Sequence, residues 1–234
     1  MTTKVRIMDW SAWTPANGAP DVSQIAPQLR RRMSPLARIS TVAALECCRK
    51  AGISPSEPRV IFASRHGEMG VTVELLRQMA AGESLSPTGF SNSVHHGALG
   101  YWSLATANRQ AMRAVAAGEA SFCYGFLEAS GMLGESDATP VLLIAADDQV
   151  PSPFEAVAGP RHFPYAAAFL MAPATQAGGR AAGVISFSIG GRIKNSADDE
   201  KLSGVPALDF LQWFTGEKKS LESVLSHRTW RWER

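Results

Sequence analysis

Two runs constrain this chain most. "VIFA" (60–63) and "VLLIAA" (141–146) contain no polar residue and no alternation. Each reads as a strand buried on both faces of a sheet, and such strands need covering layers on both sides. The intervening segments supply helices. One runs from about Pro35 and is closed by Gly52. "VTVELLRQMAAG" (71–82) is amphipathic with a glycine stop, and "SPTGFSNSVHHGALGYWSLATANR" (86–109) is a loop and then a helix capped by Ser91 or Asn92. "QAMRAVAAG" (110–118) reads as a strand and "EASFCYGFLEASGML" (119–133) as a helix. Strands alternating with helices imply a layered α/β fold with a mostly parallel sheet. "KVRIMDW" (4–10) is an opening strand. "AAAFLMAP" (166–173) and "GVISFSI" (183–189) are expected to pair antiparallel through the loop "ATQAGGRAA", and residues 207–234 to be helical or mixed. No repeat or linker divides the chain, so residues 1–234 are expected to form one domain.

Composition narrows the function classes. With 45% hydrophobic and 19% charged residues and a net charge of +2, the chain is an ordinary globular sequence. It has no dominant basic stripe, so nucleic acid is not an expected partner. Its three cysteines, two of them adjacent (Cys47, Cys48), make no disulfide framework and suit a reducing compartment. The N-terminus lacks the apolar core of a signal peptide, and no run reaches membrane-spanning length. A soluble, cytoplasmic protein is the expectation. No paired Cys/His spacing for a metal, no GxSxG elbow and no phosphate-binding glycine signature is present, so neither metal nor cofactor is expected.

The stretch "AVAAGEASFCYG" (114–125) is the focus of the chemistry. It reads as a strand, a tight turn of small residues and a helix, an elbow that displays one side chain at the helix start, here Glu119. The helix beyond is apolar on most of its circumference through Phe122, Cys123, Phe126, Leu127, Met132 and Leu133, and so is enclosed. The helix dipole favours a carboxylate at that start while burial opposes it. Glu119 is either a capping group or a functional one. Cys123, one helical turn on, is a core thiol or a nucleophile. His95 and His96 are expected within the preceding helix, beside the small strip Gly97 and Gly100. His66 follows a strand end, where α/β proteins place functional groups or loop hydrogen bonds.

The segments "LRRRMSPLARIS", "VIFASRHGEMGVTVELL", "LSPTGFSNSVHHGALGYWSLAT", "AVAAGEASFCYGFLEA" and "PVLLIAADD", spanning 29–148, with weaker agreement in "YAAAFLMAP", resemble the N-terminal half of β-ketoacyl synthases. The closer resemblance is to half-length chain-length factors of aryl polyene-type clusters. It implies a thiolase-like layered α/β fold. In active synthases the elbow residue is the cysteine that accepts the acyl chain, and Glu119 stands at that place here. A carboxylate is a poor acyl acceptor from a thioester. The assisting histidine pair belongs to the family's C-terminal half, which this chain is too short to include.

The resemblance therefore implies a non-catalytic subunit. It would pair with a complete ketosynthase and shape the acyl tunnel in type II polyketide or fatty-acid-like biosynthesis, with an acyl carrier protein as second partner. The strand with Met112 and Val115 is the expected central contact. Tyr101, Trp102, Phe122, Cys123 and Phe126 are the expected tunnel or interface residues. Arg30, Arg31 and Arg32 form the compact basic cluster suited to an acidic carrier. "HRTWRWER", with Trp230 and Trp232 among arginines, is an interface anchor or packs on its own domain. Two other readings stand beside this one: a malonyl-thioester decarboxylase using Glu119, and a stand-alone acyl-carrier-binding protein.

Overall fold

The computed structural model describes residues 2–134, 139–158, 162–175, 182–191 and 204–234. The strands are β1 (Thr2–Trp13), β2 (Arg59–Ala63), β3 (Met112–Val115), β4 (Val141–Asp147), β5 (Tyr165–Pro173), β6 (Gly183–Gly190), β7 (Ser220–Leu225) and β8 (Arg228–Glu233). The helices are α1 (Pro27–Arg30), α2 (Pro35–Ala51), α3 (Met69–Ala80), α4 (Pro87–Asn92), α5 (Gly97–Thr106), α6 (Ser121–Leu133), α7 (Glu155–Ala158) and α8 (Pro206–Thr215). All eight strands join one sheet in the order β3-β2-β4-β5-β1-β6-β8-β7. The fold is thus the layered α/β type expected.

Two expectations about pairing are corrected. Among the described strands the parallel pairings are β2 with β3 and β2 with β4; the other strand pairings are antiparallel. A parallel neighbour needs a helical crossover, and α3–α5 and α6 provide those connections between β2, β3 and β4. Nor do β5 and β6 pair with each other, because β1 inserts between them and is hydrogen-bonded to both. The connection between β5 and β6 lies largely outside the described residues.

The two apolar runs behave as read. β2 and β4 are buried throughout, and their side chains alternate between two cores. Ile61, Ala63, Val141, Leu143 and Ala145 face a layer built by α6 and α8. Val60, Phe62, Leu142, Ile144 and Ala146 face α2 and α5. The first core is aromatic: Phe122 and Phe126 of α6 meet Phe169, Phe210 and Trp232 with ring centroids 5.4–6.3 Å apart. Trp230 and Trp232 are fully enclosed there, so the C-terminal tryptophans anchor β8 to their own domain and not to a partner. α2 begins with the Ser34 hydroxyl accepting the Ala37 N–H at 3.0 Å and ends at Gly52, as expected.

One glycine sets how closely α6 lies on the sheet. A Cβ on Gly125 would fall 2.7 Å from the Ala63 Cβ and 3.1 Å from a Leu143 methyl. Gly131, on the same helix, has open space above it. Overpacking costs ~1–3 kcal/mol, whereas alanine gains at most ~1 kcal/mol of helix propensity over glycine. Gly125→Ala should therefore lower the melting temperature and Gly131→Ala should raise it, measured by thermal unfolding of the two variants side by side.

Candidate functional site at the elbow and the open sheet edge

β3 is the outermost strand at one end of the sheet. It pairs with β2 on its inner side, from Val60–Met112 to Ala63–Val115, and among the described residues has no strand beyond it. Met112 and Ala114 pack toward the α2/α5 core and Val115 toward the α6 core. Arg113 is half exposed and pairs with Glu128 of α6. An edge strand leaves unpaired N–H and C=O groups, a template for another chain.

The elbow follows directly. Gly118 takes φ +58°, a left-handed conformation that side chains rarely adopt. Ser121 fastens the turn: its hydroxyl donates to the Gly118 carbonyl at 2.7 Å and accepts the Ala117 N–H at 3.0 Å. α6 starts at Ser121, after an N-cap position filled by Ala120 that makes no side-chain cap. Glu119 is displayed, as read, but it neither caps the helix nor sits enclosed. Its side chain is 62% exposed, and the Arg65 guanidinium lies 3.8 Å from its carboxylate.

Arg65 belongs to a polar cluster that sequence reasoning largely missed. At the carboxyl ends of β2 and β4, Asp147 is buried and accepts from the Ser64 hydroxyl at 2.7 Å, the His66 N–H at 2.8 Å and the Tyr165 hydroxyl at 3.2 Å. The Ser64 hydroxyl also accepts the Gly67 N–H at 2.8 Å, and its carbonyl lies 3.1 Å from His95 Nε2. The signal was the acidic pair that ends "VLLIAADD" at the mouth of a buried strand. His66 is thus brought into the site, and His95 is a loop-holding residue. Neither His95 nor His96 lies in a helix: both fall between α4 and α5, with His96 at the N-cap position of α5. Ser91 and Asn92, expected to cap that helix, instead end the short α4, whose own N-cap is Ser86.

The remaining candidates separate into buried and exposed sets. Tyr101, Trp102, Phe122, Cys123 and Phe126 are all buried. Cys123 is enclosed in the α6 core, and burial pushes its thiol far above its ordinary range. The Tyr101 hydroxyl lies 2.7 Å from the Arg32 carbonyl and 2.8 Å from Asn92 Oδ1, tying α5 to the arginine segment. The groups open to solvent on these elements are others: Phe90, Val94, Gly100 and Leu104. Arg31 and Arg32 are exposed, while Arg30 is half-buried and donates to the Val22 carbonyl at 3.3 Å. Among the described residues no group of three or more His, Cys, Asp or Glu is placed to hold a metal ion. No helix among them is long and apolar enough to cross a membrane.

The polar cluster and the elbow acid should respond differently to substitution. Asp147→Ala strips three donors of their acceptor, two of them buried, and each buried orphan costs ~1–3 kcal/mol. It should be strongly destabilising. Glu119→Gln removes one exposed ion pair, worth about 0–1 kcal/mol, and should leave the melting temperature nearly unchanged. Denaturant melts of both variants check this.

Residues 8–233 match the family model described as the N-terminal domain of β-ketoacyl synthase. No curated protein shows a significant sequence match to the chain. Among solved structures, the chain is similar to one in a ketosynthase–chain length factor complex from Xenorhabdus doucetiae, at 24% identity and a TM-score of 0.79, covering 99% of each chain. It is also similar to the ishigamide ketosynthase/chain length factor, at 18% identity and TM-score 0.66, covering 84% of this chain and 69% of that one. A type II polyketide synthase ketosynthase complex with its acyl-carrier protein matches at 12% identity and TM-score 0.66, covering 81% and 70%. These likenesses are of fold. With a family model matching nearly its whole length, the chain belongs to the family of β-ketoacyl synthase N-terminal domains.

Proposed function

We propose that this protein is a chain-length-factor-like subunit that pairs with a complete ketosynthase and does not itself carry the acyl chain. The observation that carries the reading is the elbow on the open edge: the displayed residue is a carboxylate, and among the described residues the strand leading to it has no partner on its outer side. The only nearby thiol, Cys123, is enclosed. The similar folds found in ketosynthase–chain length factor complexes support the same reading. The product class we propose is an aryl polyene-type chain held on an acyl carrier protein, with Arg31 and Arg32 as carrier contacts and the cytoplasm as its compartment.

The contact surface follows from exposure. β3 supplies the strand edge, through Met112 and Val115. The outward face of α5 supplies Gly100, which has open space above its Cα, and Leu104, which is 69% exposed. A bare glycine beside a protruding leucine lets a partner helix approach closely. The buried Tyr101, Trp102, Phe122 and Phe126 would then shape the partner's acyl tunnel indirectly, by fixing the helices whose exposed residues border it.

Two measurements test this. Co-expression with a ketosynthase encoded beside it should give a one-to-one complex by size exclusion with light scattering. Intact-mass analysis after exposure to acyl-carrier thioesters should show acylation of the ketosynthase alone. A monomer indifferent to the ketosynthase, or an acyl adduct on this chain, would overturn the reading. Gly100→Leu and Leu104→Asp should leave the isolated fold unchanged, because both sites are open, yet weaken pairing at least tenfold, about 1.4 kcal/mol.

A further inference from the structure

The polar cluster holds two histidines for which the proposed pairing has no use. His66, in the loop after β2, and His162, just before β5, meet edge to face with ring centroids 5.1 Å apart and planes at 84°. His162 Nε2 lies 2.6 Å from the Asp148 carbonyl, an acceptor only, so that nitrogen carries a proton in the neutral ring. His66 Nε2 is enclosed and has no hydrogen-bond partner. A lone pair tolerates that position; an N–H there would be a buried donor without an acceptor.

From this geometry we infer that the His66–His162 contact is a proton-sensitive clasp. It fastens the chain before β5 to the loop after β2 while His66 is neutral, and it loosens as the pH falls. Protonating His66 places a cation beside Arg65 and against the His162 ring, 5.1 Å away. The charged groups that act on the pair directly are Arg65 and Asp147 on His66 and Asp148 on His162; Glu68 acts on Asp148, and the Tyr165 hydroxyl bonds Asp147. Asp147 attracts a proton to His66, but its oxygens are already committed to Ser64, the His66 amide and Tyr165.

Burial above all, then Arg65 and His162, lowers the His66 pKa below its ordinary value of 6.5. A freed His66 takes up its proton near that ordinary value. The clasp is therefore intact above about pH 6.5 and weakens as the pH falls through that value toward the lowered one. Glu68 works in the opposite sense. Burial raises its pKa from 4.5 to about 7, assisted by Asp148 and opposed by the Ser34 hydroxyl, which donates to it at 2.7 Å. Its contribution is full below pH 4.5 and lost as the pH rises through about 7. Glu68 thus masks part of the acid response of His66.

Hydrogen exchange on the full chain tests the inference, with exchange times scaled for intrinsic rate at pH 7.5 and 5.5. Exchange at residues 64–67, 147–149 and 162–165 should rise several-fold at pH 5.5 relative to the rest of the sheet. Glu68→Gln should enlarge that rise, and His66→Gln should abolish it. An equal acid response in His66→Gln, or none in the Glu68→Gln background, overturns the clasp. If His66→Gln does not fold, histidine NMR of the wild type decides. The His66 ring should titrate below the ordinary histidine range, and His162→Phe, which keeps an aromatic ring but removes the second charge, should raise its pKa. Titration at or above the ordinary value overturns the inference.

Discussion

Parallel strands cannot be joined by tight turns, and this constraint governs the molecule. Each step from β2 to β3 and from β3 to β4 requires a crossover, and the crossovers lay helices on both faces of the sheet. The strands β2 and β4 are consequently buried on both sides. β3, the shortest of the three, is left at the margin with one free edge. The elbow follows from the same geometry: the chain leaving β3 must turn sharply into α6, and Gly118 and Ser121 make that turn.

The opposite half of the sheet is built differently. β5, β1, β6, β8 and β7 are all antiparallel, and their inner face rests on the aromatic cluster shared by α6, α8 and β8. α6 therefore links the elbow to the aromatic core: its first turn shapes the site, and Phe122 and Phe126 lock it against Phe210 and Trp232. Gly125 sits where the helix crosses Ala63 and Leu143, and the absence of a side chain there allows the close approach. The elbow is thus held by packing well behind it.

Much of this was legible in the residues. "VIFA" and "VLLIAA" announced central strands because nothing in them tolerates water, and the small residues of "AVAAGEAS" announced the turn and the displayed acid. Pairing was less legible. β5 is apolar on both faces and needs a neighbour on each side, but local sequence does not reveal that β1, more than 150 residues earlier, supplies one of them. α6 starts at Ser121, beyond Glu119, because the serine hydroxyl, and not the carboxylate, satisfies the turn. On α5 the aromatic Tyr101 and Trp102 face inward while Gly100 and Leu104 face outward, so aromatic size pointed to the core and not to the surface. The Asp147 network escaped notice because it joins β2, β4 and β5 ends that are close only in space.

The central claim is that the free edge of β3 is where a ketosynthase docks. Hydrogen exchange resolved to residues 112–115 measures this directly, comparing the chain alone with the chain bound to the ketosynthase. Strand pairing across that edge predicts a marked slowing of exchange in β3 and along the outward side of α5 on complex formation, with β7 at the far end of the sheet unchanged. A complex that protects β7 and leaves β3 as it was would contradict the account.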